Sequence, residues 1–211
     1  MILLYQQQIQ PCETMRLIIA STNLHKIREL RSLLKEFKTL DLFSLKDFPS
    51  YIPPEETGSS FEENAKLKAL HAAQTLNCNV IADDSGLVVP SLGGEPGIFS
   101  ARYAGPEASD VENREKLIAK LKTLSEDKRL GYYECCLTLA TPSGIKKSAT
   151  ALCEGMLLCE PKGSLGFGYD SLFMKHDYRK TFAELDEDTK HRISHRRKAF
   201  DKLIPSLYSL V

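Results

Sequence analysis

Two adjacent carboxylates occupy the segment of the chain that is best equipped for chemistry. Asp83 and Asp84 follow the apolar run Val80–Ala82 and precede Ser85 and a glycine. Successive side chains of a strand point to opposite faces, so only one of the two carboxylates can face a given cleft. A glycine-rich stretch and Arg102 come next, and carboxylates that can hold a hard cation beside an arginine suit a phosphorylated substrate. The alternative is a turn, since vicinal aspartates at a strand end often hydrogen-bond their own backbone.

A second candidate site lies where the first predicted strand meets its helix. Ser21, Thr22 and Asn23 precede Lys26 by one helical turn. Backbone N–H groups at a helix N-terminus, together with hydroxyls and a lysine, favour anion binding. The glycines of a Walker A loop are missing. Ordinary helix capping is the alternative interpretation.

A third candidate combines the acidic loop 55–58 with the helix that follows it. Asn64 and Lys68 are four residues apart, so they share a helix face and can reach one ligand. Lys68 lies among alanines and leucines, which argues against a purely solvated position.

Two further groups lie near the C-terminus. Phe167 stands between two glycines, where its ring is free to stack on a base while backbone amides and Asp170 read a purine edge. Lys190, His195 and Arg196 lie on the last predicted helix, whose apolar continuation brings its first turn near the core. The alternatives are a core-filling aromatic for Phe167 and a solvated charge run for the basic residues.

The apolar periodicity predicts one α/β unit with a mixed sheet and no internal repeat. Predicted strands cover 16–20, 40–45, 80–82, 87–89, 132–140, 146–158 and 172–174, and predicted helices cover 24–37, 60–76, 110–124 and the chain from 187 onward. Ser60 and Glu63 form a predicted capping box, and Pro142-Ser143-Gly144 marks a hairpin turn.

Composition narrows the class of protein. Lys plus Arg and Asp plus Glu both number 28, so a net charge of zero argues against nucleic acid as the main partner. Six cysteines without C-x-x-C spacing are typical of a reducing compartment, and we expect a cytoplasmic protein. The N-terminal apolar run is too short for a signal peptide or membrane span, so no membrane association is expected. We expect residues 1–14 to be a tail and 15–211 a single domain.

Six motifs occur in order and spacing that resemble the non-canonical purine nucleoside triphosphate pyrophosphatases, the inosine triphosphate or dITP/XTP diphosphatase family. They are STNxxK, EETG with ENAxxKA, IADDSGL, GGEPGIFSARYAG, GFGYD and TxxELxxxxKxxISHR, and they span Arg16 to about Leu207. The departures are the N-terminal tail, Thr22, and Ser171 in place of a common proline. The resemblance implies a long mixed β-sheet flanked by helices, two lobes with a central nucleotide cleft, and a homodimer.

The resemblance also implies roles for individual residues. Asp84 would be the catalytic carboxylate that binds Mg²⁺ and helps to activate water, with Glu55 as its metal partner, while Asp83 braces the loop from the other face. Lys68 and Lys190 would neutralise charge on phosphoryl oxygens. The implied substrate-binding set is Ser21, Thr22, Asn23, Lys26, Asn64, Ser85, Arg102, Phe167, Gly168, Tyr169, Asp170, Lys190, His195 and Arg196.

Within that set the first motif would hold the triphosphate, and Ser85 would hydrogen-bond the substrate beside Asp84. Residues 167–170 with His195 and Arg196 would select the base, because an arginine can donate to the 6-oxo group of hypoxanthine or xanthine but not to the 6-amino group of adenine. The competing hypothesis is a purine nucleotide sensor that binds without hydrolysis.

Overall fold

The structure is a computed structural model that describes residues 14–210. The expected N-terminal tail, residues 1–14, therefore lies outside the described residues except for Thr14. No helix in this described range is long and apolar enough to cross a membrane.

Seven strands of residues 14–210 form one sheet, which is mixed as the sequence predicts. They are β1 (Met15–Ala20), β2 (Leu40–Ser44), β3 (Asn79–Val88), β4 (Leu130–Thr141), β5 (Gly144–Leu157), β6 (Phe173–Lys175) and β7 (Lys180–Thr181). Their order across the sheet is β2-β1-β3-β4-β5-β6-β7. β1 runs parallel to β2 and β3, and the remaining pairs are antiparallel.

Within the described residues, five α-helices flank this sheet. They are α1 (Leu24–Leu34), α2 (Phe61–Leu76), α3 (Asp110–Leu121), α4 (Glu187–Ile193) and α5 (His195–Tyr208). Leu17, Ile19 and Ile81 pack in one core cluster with α1 and α5. The alternate strand residues Ile18 and Val80 pack in another cluster with the alanines of α2. Odd-numbered positions of β1 and of the first half of β3 thus face α1 and α5, and even-numbered positions there face α2.

The two short strands predicted at 80–82 and 87–89 are a single strand, so that prediction is wrong in its division. β3 pairs with β4 without interruption from Val80 to Val88, and Asp83 and Asp84 lie opposite Leu137 and Cys136. The backbone hydrogen bonds of the polar stretch are supplied by β4, which local sequence does not reveal. The turn interpretation of the two aspartates is therefore excluded.

The single helix predicted from 187 onward is two helices. Ser194 is both the C-cap of α4 and the N-cap of α5, and its backbone is extended, with ψ at 158°. Its side chain accepts a hydrogen bond from Arg197 N. Ser60 caps α2 as predicted, but the capping box is incomplete because the Glu63 carboxylate binds Ser59 instead. The break at Ser194 starts α5 at His195 and so fixes the direction in which His195 and Arg196 enter the core.

Candidate active site

Lys68 connects the acidic groups on the α2 face of β3. Its Nζ donates to Asp84 Oδ1 at 2.7 Å, to the Asp83 carbonyl oxygen at 2.9 Å and to Glu56 Oε1 at 3.0 Å. The other Glu56 oxygen accepts from Arg102 Nη1 at 2.9 Å. Asp84, Lys68, Glu56 and Arg102 thus form a chain of alternating charge, which we call the Lys68 cluster.

Asp84 has one oxygen fixed and one free in this cluster. The side chain is buried, and Oδ2 has no hydrogen-bond partner among the described residues. Burial raises the pKa of Asp84, and the attraction of Lys68 and Lys26 only partly offsets this effect. For Lys68, burial would lower the pKa, but Asp84 and Glu56 outweigh it and the net pKa is raised, so the amine stays charged. A buried carboxylate with one unpaired oxygen is suited to accept a proton or a cation.

Asp83 faces the opposite side of β3, as strand alternation predicts. Its Oδ1 lies 2.6 Å from Lys26 Nζ, and its Oδ2 accepts from Arg196 Nε at 2.6 Å. Burial would raise the pKa of Asp83, but Arg196 and Lys26 hold it well below its usual range. Ser85 lies on this face too, and its hydroxyl donates to Asp83 Oδ1 at 2.8 Å. Asp83 therefore binds two cations on the face opposite Asp84, and the Ser85 hydroxyl lies on the Asp83 face.

A larger buried ion network extends from Asp83. Arg196, only 1% exposed, also donates to Glu29 on α1, and Lys190 Nζ lies 3.1 Å from Glu29 Oε1 and 2.7 Å from Asp170 Oδ2. Burial would raise the pKa of Glu29, but Arg196 and Lys190 lower it to about 2. The buried ion network contains three cations and three anions and is thereby balanced in charge: Lys26, Lys190, Arg196, Glu29, Asp83 and Asp170.

Four members of this network line a cavity of about 100 Å³, and His195 lines it too. The four are Lys26, Asp170, Lys190 and Arg196. The His195 ring stacks on Tyr133 with centroids 4.7 Å apart and planes 11° apart. Its Nδ1 is buried and has no hydrogen-bond partner within the part of the chain that the structure describes. Burial and the nearby Arg196 lower the pKa of His195 well below its usual range. The cavity wall therefore presents a neutral imidazole.

The loop 166–170 closes one side of the cavity. Phe167 stacks on His25 with centroids 4.7 Å apart and planes 12° apart. Asp170 is buried and accepts from Phe167 N at 2.9 Å and from Tyr133 OH at 3.2 Å. Burial raises the pKa of Asp170 even though Lys190 acts in the opposite direction. Tyr169 is buried, and its hydroxyl donates to the Ser100 carbonyl oxygen at 2.8 Å. The Phe167 ring thus stacks on His25, whereas a ring free to stack on a base was predicted, and Tyr169 holds the loop.

Several of the predicted site residues either lie outside the cavity lining or use their side chains in other hydrogen bonds. Asn64 is fully buried and is not part of the cavity lining; its Oδ1 accepts from Gly58 N at 2.8 Å and so holds the acidic loop, while its Nδ2 has no partner among the described residues. Ser21 accepts from Asn23 N, and Asn23 Oδ1 caps α1 by accepting from the N–H groups of His25 and Lys26. The predicted anion turn therefore uses its own side chains for helix capping, although Lys26 and Asn23 do line the cavity. Thr22 is exposed.

Comparison with known proteins assigns the chain to a family. The model of the Ham1 family matches residues 17–206. The chain belongs to the Ham1 family. Over 197 residues it is 55% identical to a dITP/XTP pyrophosphatase of Protochlamydia amoebophila, covering 93% of this chain and 99% of that protein. A dITP/XTP pyrophosphatase of Chlamydia abortus is 50% identical over 198 residues, covering 93% and 96% of the two chains.

Solved structures of Ham1 proteins share the fold. The Ham1 protein of Staphylococcus aureus is 39% identical, with a TM-score of 0.81 over 93% of this chain and 100% of that chain. A HAM1 protein from Coxiella burnetii is 36% identical, with a TM-score of 0.83 over 92% and 99%. The mixed sheet with flanking helices is therefore the Ham1 fold.

Among the residues of this Ham1 site that were not predicted from sequence are two acidic ones, Glu29 and Glu56. Glu29 lies three residues after Lys26 and between the buried residues Ile27 and Leu30, so its place on the inward side of α1 is the signal that could have indicated it. Glu56, rather than Glu55, contacts Lys68; Glu55 is exposed. Nothing in the sequence distinguishes two adjacent glutamates in a loop.

Substitution of these neighbouring glutamates gives a matched test of the Ham1 site. We expect Glu56→Gln to lower kcat/KM by about 10- to 100-fold, because a neutral amide no longer balances Lys68 and Arg102 or supplies a charged ligand. Glu55→Gln should stay within about 3-fold of the parent protein. Steady-state rates of nucleotide hydrolysis measure both variants. Equal losses, or a larger loss for Glu55→Gln, would show that the loop is placed differently during catalysis.

Proposed function

We propose that this protein hydrolyses non-canonical purine nucleoside triphosphates, namely dITP, XTP and ITP, to the monophosphate and pyrophosphate. The observation that carries the proposal is Asp84, a buried carboxylate with one oxygen fixed by Lys68 and the other unpaired. It lies across β3 from a cavity lined by Lys26, Lys190 and Arg196. The names of the two relatives at 55% and 50% identity support the same reaction.

We propose Mg²⁺ as the cofactor, held by Asp84 and Glu56. The fit rests on the unpaired Asp84 Oδ2 and on the Glu56 carboxylate that shares Lys68 with it. No group of three or more His, Cys, Asp or Glu side chains within residues 14–210 could hold a metal ion. Mg²⁺ requires fewer protein ligands, since it binds through one or two carboxylates plus waters and substrate phosphates. When bound, it would polarise phosphoryl oxygens and offset their charge.

The protein's own side chains would act through charge and position. Asp84 would orient the attacking water and help to activate it, because Oδ2 can accept a hydrogen bond from that water. Lys68 and Arg102 would offset negative charge on the phosphates beside it, and phosphoryl transfer is accelerated mainly by such positioning and electrostatics. Lys26 and Lys190 would likewise offset negative charge at the cavity wall.

Selection of the base would depend on Arg196, His195 and the loop 166–170. Arg196 has five N–H donors, of which three are engaged by Asp83, Glu29 and Ser85. The remaining donors match a 6-oxo acceptor, whereas the 6-amino group of adenine would leave them unpaired. A site of this kind can reject the wrong analogue by about 10⁴-fold. Guanine shares the 6-oxo group, so discrimination against guanine must act at the 2-position.

The competing hypothesis is a sensor that binds purine nucleotides without hydrolysis. The two hypotheses separate when pyrophosphate release and nucleotide binding are measured on one preparation with Mg²⁺. We expect release from dITP, XTP and ITP at least about 10³-fold faster, by kcat/KM, than from ATP. Tight binding of dITP without any release would support the sensor and overturn the proposed reaction.

The proposal also covers domain organisation, oligomeric state and cellular location. We infer that residues 15–211 act as a single bilobed domain and that two copies form a homodimer, both on the basis of the family resemblance. We infer a cytoplasmic location, because the proposed substrates belong to the nucleotide pool. The five cysteines within the described residues are unpaired, which agrees with a reducing compartment.

A further inference from the structure

Both backbone polar groups of Gly168 are held by one helix. Gly168 N–H donates to Asp110 Oδ2 at 2.8 Å, and its carbonyl oxygen accepts from Arg114 Nη1 at 2.7 Å. Asp110 and Arg114 are four residues apart on α3, so they lie on one face of the helix and bind the N–H and the carbonyl oxygen of the same residue. The sequence instead predicted that these backbone groups face a purine.

Helix α3 also binds the segment that carries Ser100. Asn113 of α3 is buried; its Nδ2 donates to the Ala101 carbonyl oxygen at 3.1 Å, and its Oδ1 accepts from Ala104 N at 2.7 Å. In the same segment the Ser100 carbonyl oxygen accepts from Tyr169 OH. The loop 166–170 is thus tied to α3 directly through Gly168 and indirectly through Tyr169.

Gly168 has no side chain with which to fix its own position. Its φ is +57°, and a Cβ placed on it would meet nothing within 4 Å, so glycine is required here by backbone conformation and not by crowding. Its neighbours on either side are Phe167, the stacking residue, and Tyr169, and all three line the cavity that His195 and Arg196 face. The contacts of α3 therefore help to hold the loop that carries Phe167.

We propose that Asp110 and Arg114 are positioning residues that set the base-binding side of the cavity. This inference rests on the proposed function and names how that site achieves its selectivity. Neither residue belongs to the Lys68 cluster or contacts Asp84. Their loss should therefore weaken recognition of the base without impairing the reaction at the phosphates.

The test compares removal with conservative replacement at both positions. Asp110→Ala and Arg114→Met should raise KM for dITP by about 10-fold or more and should reduce the preference for dITP over dATP by a similar factor, while kcat stays within about 3-fold. Asp110→Asn keeps an acceptor and Arg114→Lys keeps a charged donor, so both should recover most of the preference. Glu115→Ala, an exposed position on α3, is the control and should match the parent protein.

Binding of IMP and AMP, measured by calorimetry on the same variants, separates this proposal from the proposed reaction. Suppose that the parent protein does not hydrolyse dITP but binds IMP more tightly than AMP, and that Asp110→Ala and Arg114→Met reduce this preference. That result would overturn the proposed reaction and support the positioning role. Unchanged KM and unchanged preference in those two variants would overturn the positioning role. A fall in kcat with no change in the preference would also overturn it. The same holds if Asp110→Asn and Arg114→Lys are as impaired as Asp110→Ala and Arg114→Met, because a purely structural contact would then account for the data.

Discussion

Asp84→Asn is expected to reduce pyrophosphate release from dITP by about 10³-fold or more while the protein remains folded. The amide oxygen can still accept from Lys68, as Asp84 Oδ1 does at 2.7 Å. The group at the position of Oδ2, however, becomes an amide nitrogen that cannot take a proton or bind a cation. Removal of a general base typically costs 10²- to 10⁴-fold, and here a metal ligand is lost with it.

The same variant carries a pH signature. Activity of the parent protein should fall at acidic pH, because protonation of the Asp84 carboxylate removes both its metal ligand and its acceptor for the attacking water. The residual activity of Asp84→Asn should lack this acidic limb. A buried carboxylate with a raised pKa also destabilises the folded protein once it is ionised, so the Tm of the variant at neutral pH should not fall below that of the parent.

The exposed Asp41→Asn on β2 is the matched control, and it should behave as the parent protein. An Asp84→Asn rate within about 10-fold of the parent would show that another group activates the water. Retention of the acidic limb in that variant would carry the same meaning.

Glu29→Gln is expected to destabilise the protein by about 3 kcal/mol at neutral pH. The substitution leaves three buried cations against two anions, and loss of one partner from a buried ion pair typically costs 3–5 kcal/mol. The pKa of Glu29, about 2 against an ordinary 4.5, corresponds to a similar stabilisation of about 3 kcal/mol. Urea unfolding followed by circular dichroism measures the difference.

The pH dependence of this effect has a definite sign. A carboxyl group whose pKa is lowered in the folded state contributes its stabilisation above the ordinary value of 4.5 and loses it as the pH falls towards 2. The difference between the parent and Glu29→Gln should therefore be largest above pH 4.5 and shrink below it. Glu36→Gln, at an exposed position just beyond α1, should show neither effect. A difference below about 1 kcal/mol at neutral pH, or one that persists to pH 2, would contradict a stabilising role for the ionised carboxylate.

Strand periodicity was enough to predict how Asp83 and Asp84 divide between the two faces of the sheet. The period of two places Asp83 with α1 and α5, where it meets Lys26 and Arg196, and Asp84 with α2, where it meets Lys68. The motifs also indicated most residues that line the cavity. The first result depends on the local regularity of a strand, whereas the second depends on the resemblance of the motifs to a known family.

The remaining features depend on long-range contacts or on loops without a period. Glu29 acquires its role only because α4 and α5 bring Lys190 and Arg196 against α1 from more than 150 residues away. The choice of Glu56 over Glu55 follows from the course of an irregular loop. The backbone of Gly168 is occupied by α3, and no property of a glycine-rich motif predicts which helix will contact it.

The measurement that tests the central claim most directly is identification of the products formed from dITP. Incubation with Mg²⁺, followed by phosphorus NMR, distinguishes cleavage between the α- and β-phosphates from cleavage between the β- and γ-phosphates. We predict dIMP and pyrophosphate in equal amounts, with dATP left largely intact under the same conditions. Release of dIDP with inorganic phosphate, or equal turnover of dITP and dATP, would contradict the proposed function.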